Sequence, residues 1–189
     1  MKDLELYIQS YFGIQQEDLN RIASLFSSHE LSKGDFYLKQ GMYCQTLSFI
    51  RTGLLRIYAP HDGKEITQWI SGKDYFITEL SSFIFNTPAK WNIQVLSDTT
   101  LYTINKENYQ KLGKLVPKWH ELEKLFIARC FSILEDRIFS LLSLPAEERY
   151  RNFFATYPEL FNQVPLQYIA SLLGMTPETF SRIRKKSMV

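Results

Sequence analysis

The sequence predicts an α+β protein: a region of short β-strands, then a long helix, then a small helical C-terminal region. Short apolar runs separated by glycines fill residues 31–105, which is typical of a β-barrel or jelly roll. After Asn105 the apolar residues recur at helical spacing. Near the end of the chain, Gly174 separates two short amphipathic segments, a pattern typical of two helices joined by a tight turn.

The composition favours a folded protein of one large domain or two small ones, because the 189 residues are 45% hydrophobic and 15% aromatic. No apolar run approaches the roughly 20 residues that span a bilayer, and the acidic N-terminus carries no signal-peptide pattern. We therefore expect a cytoplasmic protein without a membrane partner. Two distant cysteines predict reduced thiols and no metal pair, since an iron–sulfur centre needs four. The histidines form no haem or metal motif; they are His29, His61 and His120.

The β region follows a short helical lead, whose apolar residues are Leu19, Ile22, Ala23, Leu25 and Phe26. Asp62-Gly63 lies between the β-rich runs 54–58 and 66–70, which is a strong signal for a hairpin with a type I′ turn. Residues 93–96 and 99–104 are predicted to form the last strand pair. We assign residues 1–116 to this first domain.

Two helices are predicted next. Asn105 can cap a helix that ends at Leu115, and the following helix is expected from about Pro117 to Ser143, before the break at Pro145. This second helix has two apolar stripes, so it must be buried on two sides. One stripe is Trp119, Leu122, Phe126, Cys130 and Ile133; the other is Ile127, Phe131, Leu134, Ile138, Leu141 and Leu142. The pattern fits a helix enclosed within a monomer or one that packs on a second subunit. We predict the second, with residues 117–143 as a dimerisation helix and the first stripe as its interface.

Residues 144–189 contain the most specific motif. Ala170 is small enough for two helices to cross closely, Gly174 supplies the left-handed turn, and Thr176-Pro177 is a good start for the second helix. The pattern predicts a helix-turn-helix with its recognition helix beginning near Pro177. The alternatives are an ordinary helical hairpin and a solvated basic tail. The predicted DNA-binding residues are Thr176, Glu178, Thr179, Ser181, Arg182, Arg184, Lys185 and Lys186.

Groove chemistry suggests a role for each side chain in that motif. Arg182 can donate two hydrogen bonds to a guanine edge, while Glu178, one turn earlier, can accept from cytosine N4 or hold Arg182 in place. The two threonines and the helix N-terminus suit phosphates. The basic residues Arg184, Lys185 and Lys186 are expected to add salt-sensitive affinity that does not depend on base sequence.

The β region and the C-terminus together resemble the Crp/Fnr family of transcriptional regulators. Asp136-Arg137-Ile138 is similar to the junction after the family's dimer helix, and residues 176–183 are similar to its recognition helix, including the base-reading Glu178 and Arg182. The glycine-containing segments that carry the likeness are 31–35, 40–41, 49–53, 63–65 and 72–76. The resemblance implies a cyclic-nucleotide-binding-like jelly roll, a homodimer, a small-molecule effector, double-stranded DNA as a ligand and RNA polymerase as a partner.

The chain departs from the family at the cyclic-nucleotide site. Thr78 replaces the glycine of the phosphate cassette, and Ala89-Lys90 stands where the family has Arg-Ser or Arg-Thr. Because that arginine grips the cyclic phosphate bidentately, we expect that cAMP is not the effector. A pocket for another ligand could be lined by Glu79, Lys90, Trp91, Leu122 and Glu123, or these could be plain rim residues. Pro177 also replaces an arginine of some members, which leaves the operator open.

The leading hypothesis is a homodimeric DNA-binding regulator with an unknown effector and no cofactor. The alternative is a ligand-binding or protein-interaction module that has lost DNA binding, because the chain stops at Val189, before any β-hairpin wing. An enzyme is not expected, since no Ser/His/Asp group, metal cluster or phosphate loop has workable spacing.

Overall fold

The computed structural model describes residues 2–12 and 15–187. The strands are β1 (Ser27–Leu31), β2 (Phe36–Leu38), β3 (Thr46–Thr52), β4 (Leu55–His61), β5 (Lys64–Ser71), β6 (Phe76–Ile77), β7 (Asn92–Val95) and β8 (Thr99–Asn105). The helices are α1 (Lys2–Phe12), α2 (Gln16–Ala23), α3 (Leu80–Phe85), α4 (Lys106–Leu115), α5 (Trp119–Ser143), α6 (Ala146–Thr156), α7 (Leu160–Gln163), α8 (Leu166–Leu172) and α9 (Pro177–Ser187). The mixed α+β content confirms the predicted fold class.

The chain forms two compact units. The β unit comprises residues 1–59 and 70–125, and the helical unit comprises residues 60–69 and 126–189. The predicted division at residues 116 and 143 does not follow this grouping, because α5 contributes to both units and the tip of the β4–β5 hairpin belongs to the helical unit. A three-part division into independently acting domains stays a prediction.

The β unit is a two-sheet jelly roll. One sheet has the strand order β1-β8-β3-β6 and the other β2-β7-β4-β5. Side chains of both sheets meet in a buried core, where Ile50 and Leu101 of the first sheet join Leu55, Ile93 and Val95 of the second. Burying one face of each sheet against the other is what stabilises a sandwich of this kind.

One predicted strand pair is wrong. The runs around 93–96 and 99–104 were expected to pair with each other, but β7 pairs with β2 and β4, whereas β8 pairs with β1 and β3. The three-residue connection at 96–98 therefore crosses from one sheet to the other. A short connection with turn residues can close a hairpin within one sheet or cross to the other sheet. Strand periodicity does not distinguish these two cases.

The predicted hairpin at Asp62-Gly63 is confirmed. Both residues have positive φ, 48° and 71°, as a type I′ turn requires, and β4 and β5 are neighbours in their sheet. The predicted cap of α4 is also present: the Asn105 side chain accepts from the Asn108 backbone N–H at 2.8 Å. Helix α5 begins at Trp119, close to the predicted start, and runs 25 residues to Ser143.

The core of the helical unit is largely aromatic. Tyr150 of α6 packs edge-on against Phe161 of α7 and Phe180 of α9, with ring centroids 5.6 and 5.4 Å apart. Ile169 and Ala170 of α8 are fully buried as well, and α8 contacts α9. One face of α9 is thus fixed in this core, which leaves its opposite face exposed.

Candidate DNA-binding helix and sensor site

The turn between α8 and α9 is built as the sequence predicts. Gly174 has φ +65°, its N–H donates to the Ser171 carbonyl at 3.0 Å, and the Met175 N–H donates to the Ala170 carbonyl at 3.0 Å. These two bonds satisfy carbonyls at the end of α8. A side chain at position 174 would be strained by the positive φ and would meet Leu141 at 3.1 Å.

The start of α9 is capped by Thr176. Its hydroxyl accepts from the Thr179 N–H at 3.2 Å, and Pro177 occupies the first helical position, where no N–H is needed. One face of the helix is in the core, with Phe180 and Ile183 only 2% and 4% exposed. The cap and the buried face were both predicted from the sequence, and both are confirmed.

The opposite face of α9 is exposed and polar. Ser181, Arg182 and Lys185 are exposed, and within the described part of the chain they have no hydrogen bond or ion pair of their side chains. Thr179 is half-buried at the edge of this face. An arginine and a lysine that make no internal contacts are available to a phosphate or a base.

Glu178 stands on the same face as an ionised carboxylate. A hydrogen bond from its own backbone N–H, then one from the Thr176 hydroxyl, then the charge of Lys64 hold the pKa of this carboxyl below its usual range. Within the described residues no ion pair joins Glu178 to Arg182. The structure therefore shows no contact by which Glu178 would hold Arg182 in place. Accepting from a base stays a prediction.

The last basic residues of α9 differ from Lys185 in their surroundings. Lys186 Nζ lies 3.2 Å from Glu147 Oε1 of α6. Arg184 is half-buried and lies near Tyr150. Burial raises the pKa of the Tyr150 phenol, and the charge of Arg184 partly offsets this rise. Both side chains therefore face α6 and α7, so a phosphate contact by Lys186 would compete with its ion pair.

The hairpin tip at residues 60–69 is attached to α8, a feature that the sequence analysis missed. The Thr67 N–H donates to Ser171 Oγ at 2.9 Å, and Ser171 Oγ donates in turn to the Glu65 carbonyl at 3.3 Å. Hydrogen-bonding partners more than 100 residues apart leave no signal in local periodicity, which is why this contact could not be predicted.

Arg137, at the junction motif of α5, joins three elements. Its guanidinium donates to the carbonyl of Gln68 and, at 3.0 Å, to the carbonyl of Leu172, and it lies over the Trp69 ring at 5.3 Å. Burial lowers the pKa of this group from its usual value. Arg149 acts similarly from α6, donating to the carbonyls of Leu144 at 2.8 Å and Leu173 at 2.9 Å.

In the β unit, the predicted ligand residue Glu79 is engaged internally. Its carboxylate accepts from the Ser82 N–H at 2.5 Å and caps α3, and the residue is only 5% exposed. Ala89, at the position of the family's arginine, is buried, and its backbone pairs with Gly41 and Met42 at 2.8 Å each. Lys90 is exposed and Trp91 is half-buried.

The other two predicted ligand residues lie on α5. Glu123 accepts from the Tyr109 hydroxyl and lies 3.4 Å from His120 Nδ1. Burial and the neighbouring carboxylate raise the pKa of Tyr109 well above its usual range, so this phenol stays a donor. Tyr109 also contacts the rings of Phe83 and Trp119, and thereby bridges α3 and α5. Its role was missed, because no motif marks it.

The predicted dimer stripe needs correction at its first two residues. Leu122 is only 7% exposed and lies in the core of its own β unit, and Trp119 packs against that core. A side chain already buried in its own chain can add little area to a subunit interface. Phe126 and Cys130 are half-buried, and Ile133 is exposed. The other stripe is exposed, with Phe131 at 61% and Leu142 at 82%.

Three further findings concern the described residues only. None of their helices is long and apolar enough to cross a membrane. They contain no group of three or more histidine, cysteine or acidic side chains placed to hold a metal ion. Cys44 is buried and Cys130 half-buried, and both are free thiols.

Comparison with known proteins agrees with this architecture. Residues 28–114 match the sequence family described as cyclic nucleotide-binding domain. Among solved structures, the c-di-GMP-responsive global regulator CLP of Xanthomonas campestris has a TM-score of 0.72 at 18% identity, over 92% of each chain. FixK2 of Bradyrhizobium japonicum has a TM-score of 0.70 at 16% identity, over 85% of this chain and 83% of that one.

The catabolite activator protein of Thermus thermophilus is a further structural match, with a TM-score of 0.59 at 23% identity over 93% of this chain and 84% of that one. No curated protein sequence matches the chain significantly. Residues 28–114 therefore resemble the cyclic nucleotide-binding domain family, and the chain has the fold of the Crp/Fnr-type regulators.

Proposed function

We propose that the chain is a DNA-binding transcriptional regulator whose helix α9 enters the major groove. The observation that carries the proposal is the exposed face of α9. Within the described residues the side chains of Arg182 and Lys185 make no hydrogen bond or ion pair, while Phe180 and Ile183 anchor the helix from behind. A recognition helix presents its N-terminal half to the base edges, so Glu178 and Arg182 face bases and Lys185 faces a phosphate.

We further propose that the regulator is a homodimer joined through the exposed stripe of α5. Its apolar residues run along one side of the helix; they are Ile127, Phe131, Leu134, Ile138 and Leu142. A contiguous apolar surface of this kind marks an interaction site, and a two-fold pair of such helices buries it in a self-complementary way. A dimer presents two copies of α9 to two half-sites.

The effector of the β unit is proposed to be a molecule other than cAMP. The position of the phosphate-gripping arginine is held by the buried Ala89, and Glu79 is occupied by capping α3. Calorimetry with cAMP and with cGMP is expected to show no heat of binding. Binding in the micromolar range would contradict this part of the proposal and point to Lys90 as a sufficient substitute for the arginine.

The experiment that tests DNA binding is a salt series on random double-stranded DNA, together with selection of a preferred site from a random library. The unaltered chain is expected to bind with an affinity that falls steeply with salt. The double variant R182A/K185A should lose most of this affinity. The control K114A/K118A removes two exposed lysines of the β unit and should keep it.

Two results would contradict the proposal. One is the absence of any DNA complex at low salt, which would favour the alternative of an interaction module without DNA binding. The other is equal loss in R182A/K185A and K114A/K118A, which would show a nonspecific charge effect. RNA polymerase, expected from the family resemblance, would be sought as a partner only after a site has been selected.

A further inference from the structure

A groove of about 710 Å³ lies between α6, α7 and α9 of the helical unit. Its floor is aromatic: Tyr150 and Phe161 are buried, and Phe154 stacks parallel to Tyr150 with ring centroids 6.1 Å apart. Phe154 is nevertheless 46% exposed, which is high for a phenylalanine packed against two other rings. The groove is thus large enough for a small molecule and offers it an apolar surface.

The rim of the groove is positively charged. It carries Arg151, Arg184 and Lys186 against one carboxylate, Glu147, which is already paired with Lys186. Neither Arg151 nor Arg184 has a carboxylate partner in the part of the chain that the structure describes. Two guanidinium groups beside an open aromatic surface match a ligand that has both a ring or chain and an anionic head.

We propose that this groove binds an amphipathic organic anion, an aromatic or long-chain carboxylate, with its apolar part on Phe154 and its carboxylate on Arg151 and Arg184. The site is separate from the cyclic nucleotide-binding domain, since all its lining residues belong to the helical unit. The guanidinium group offers paired donors that match a carboxylate.

This ligand would also regulate the proposed DNA binding, and that second half of the inference rests on the proposed function. Ile183, Arg184 and Lys186 belong to α9, so a carboxylate bound there neutralises charge on the helix that meets DNA. Ligand and DNA are then expected to weaken each other's binding by the same factor, because coupling between two binding sites is reciprocal.

The experiment is calorimetry of the full chain with 2-naphthoate and with its neutral relative 2-naphthalenemethanol. Naphthoate is expected to bind at least tenfold more tightly than the alcohol, because only the carboxylate can pair with the arginines. The variant R151Q/R184Q should remove this preference, and Phe154→Ser should weaken both probes. Lys185→Gln is the matched control, since Lys185 lies on α9 but does not line the groove; it should bind like the unaltered chain.

The outcomes test the proposed ligand site independently of the proposed DNA binding. Equal affinity for the two probes, unchanged binding in R151Q/R184Q, or no heat at millimolar probe would each overturn the proposed site. These measurements need no DNA, so they remain decisive even if the chain proves not to bind it. If DNA binds, naphthoate should lower its affinity in the unaltered chain and not in R151Q/R184Q; an equal effect in both would overturn the regulatory half.

Discussion

Polar side chains in the core of the β unit and on the exposed face of α9 in the helical unit are used in opposite ways. In the β unit, Tyr37 donates or accepts within a buried chain of hydroxyls that includes Thr46, Ser48 and Thr103, and burial raises the pKa of this phenol well above its usual range. Glu79 caps its own helix. In the helical unit, the side chains of Arg182 and Lys185 are exposed and make no hydrogen bond or ion pair within the part of the chain that the structure describes.

This difference teaches where to look for function in a chain of this fold. A polar group that is buried must be hydrogen-bonded, so the polar residues of the β core stabilise the jelly roll and are unavailable to a ligand. A polar group that stays exposed on a rigid helix costs nothing to keep and is free for a partner. Substitutions in the two units test this contrast.

The strongest test compares two apolar residues of α5. Leu122→Glu places a charge in the core of the β unit and should lower the free energy of unfolding by about 3–5 kcal/mol. Phe131→Glu changes an exposed residue and should leave the fold intact while abolishing the dimer. Chemical denaturation measures the stability and light scattering measures the dimer. The control Ser132→Glu changes a polar, exposed neighbour and should affect neither the stability nor the dimer. A dimer that survives Phe131→Glu would place the subunit interface elsewhere.

The next test separates the roles of Arg182 and Lys185 on α9. Arg182→Ala should cost about 1–3 kcal/mol on the selected DNA site and little on random DNA, because a base contact is sequence-specific. Lys185→Ala should weaken both about equally and reduce the salt slope by about one unit. The measurement is affinity for both duplexes across a salt series. Equal losses on the two duplexes for Arg182→Ala would identify it as a phosphate contact.

A third test compares the N-caps of the two units. Thr176→Ala removes an exposed cap and should cost about 1 kcal/mol of stability in the helical unit. Glu79→Ala also leaves the buried Ser82 N–H without its acceptor, so its cost should be larger, about 2 kcal/mol. Thermal or denaturant unfolding measures both, and Glu79→Gln, which keeps an acceptor, should recover most of the loss. A smaller cost for Glu79→Ala than for Thr176→Ala would break the contrast between buried and exposed polar groups.

The smallest expected effect concerns the attachment of the hairpin tip. Ser171→Ala removes the acceptor of the Thr67 N–H and should cost about 1 kcal/mol locally. Hydrogen exchange at the Thr67 amide should become faster, whereas exchange in β8, for example at Leu101, should not change. Protection at Thr67 that is unaffected by the substitution would show that the tip is held by other contacts, such as those of Arg137.

Local sequence features were enough to predict the helix-turn-helix of the helical unit, whereas α6 and α7 were not predicted. The cap at Thr176, the turn at Gly174 and the buried face of α9 depend on residues within one or two turns of each other, and short-range rules describe such geometry well. The same holds for the hairpin at Asp62-Gly63 in the β sheets. These predictions succeeded because the chain itself brings the relevant groups together.

The β sheets were less predictable, for a physical reason. The pairing of β7 and β8 with strands of different sheets depends on which faces bury together, and a run of alternating residues carries no record of its partner. For the same reason the sequence showed that the stripe containing Leu122 is apolar, but not that Leu122 packs in the core of the β unit. Burial against a residue far away in sequence is decided only when the layers pack.

Residues close together in the sequence were enough to predict the order of the three regions, the helix-turn-helix with its exposed Glu178 and Arg182, and the replacement of the phosphate-gripping arginine by Ala89. Packing alone brings about three other features. The β4–β5 tip and Arg137 hydrogen-bond to α8, Tyr109 joins α3 to α5, and Arg184 and Lys186 line the groove between α6, α7 and α9. The first set rests on contacts between neighbours in the chain, whereas the second rests on contacts between side chains that only packing brings within reach.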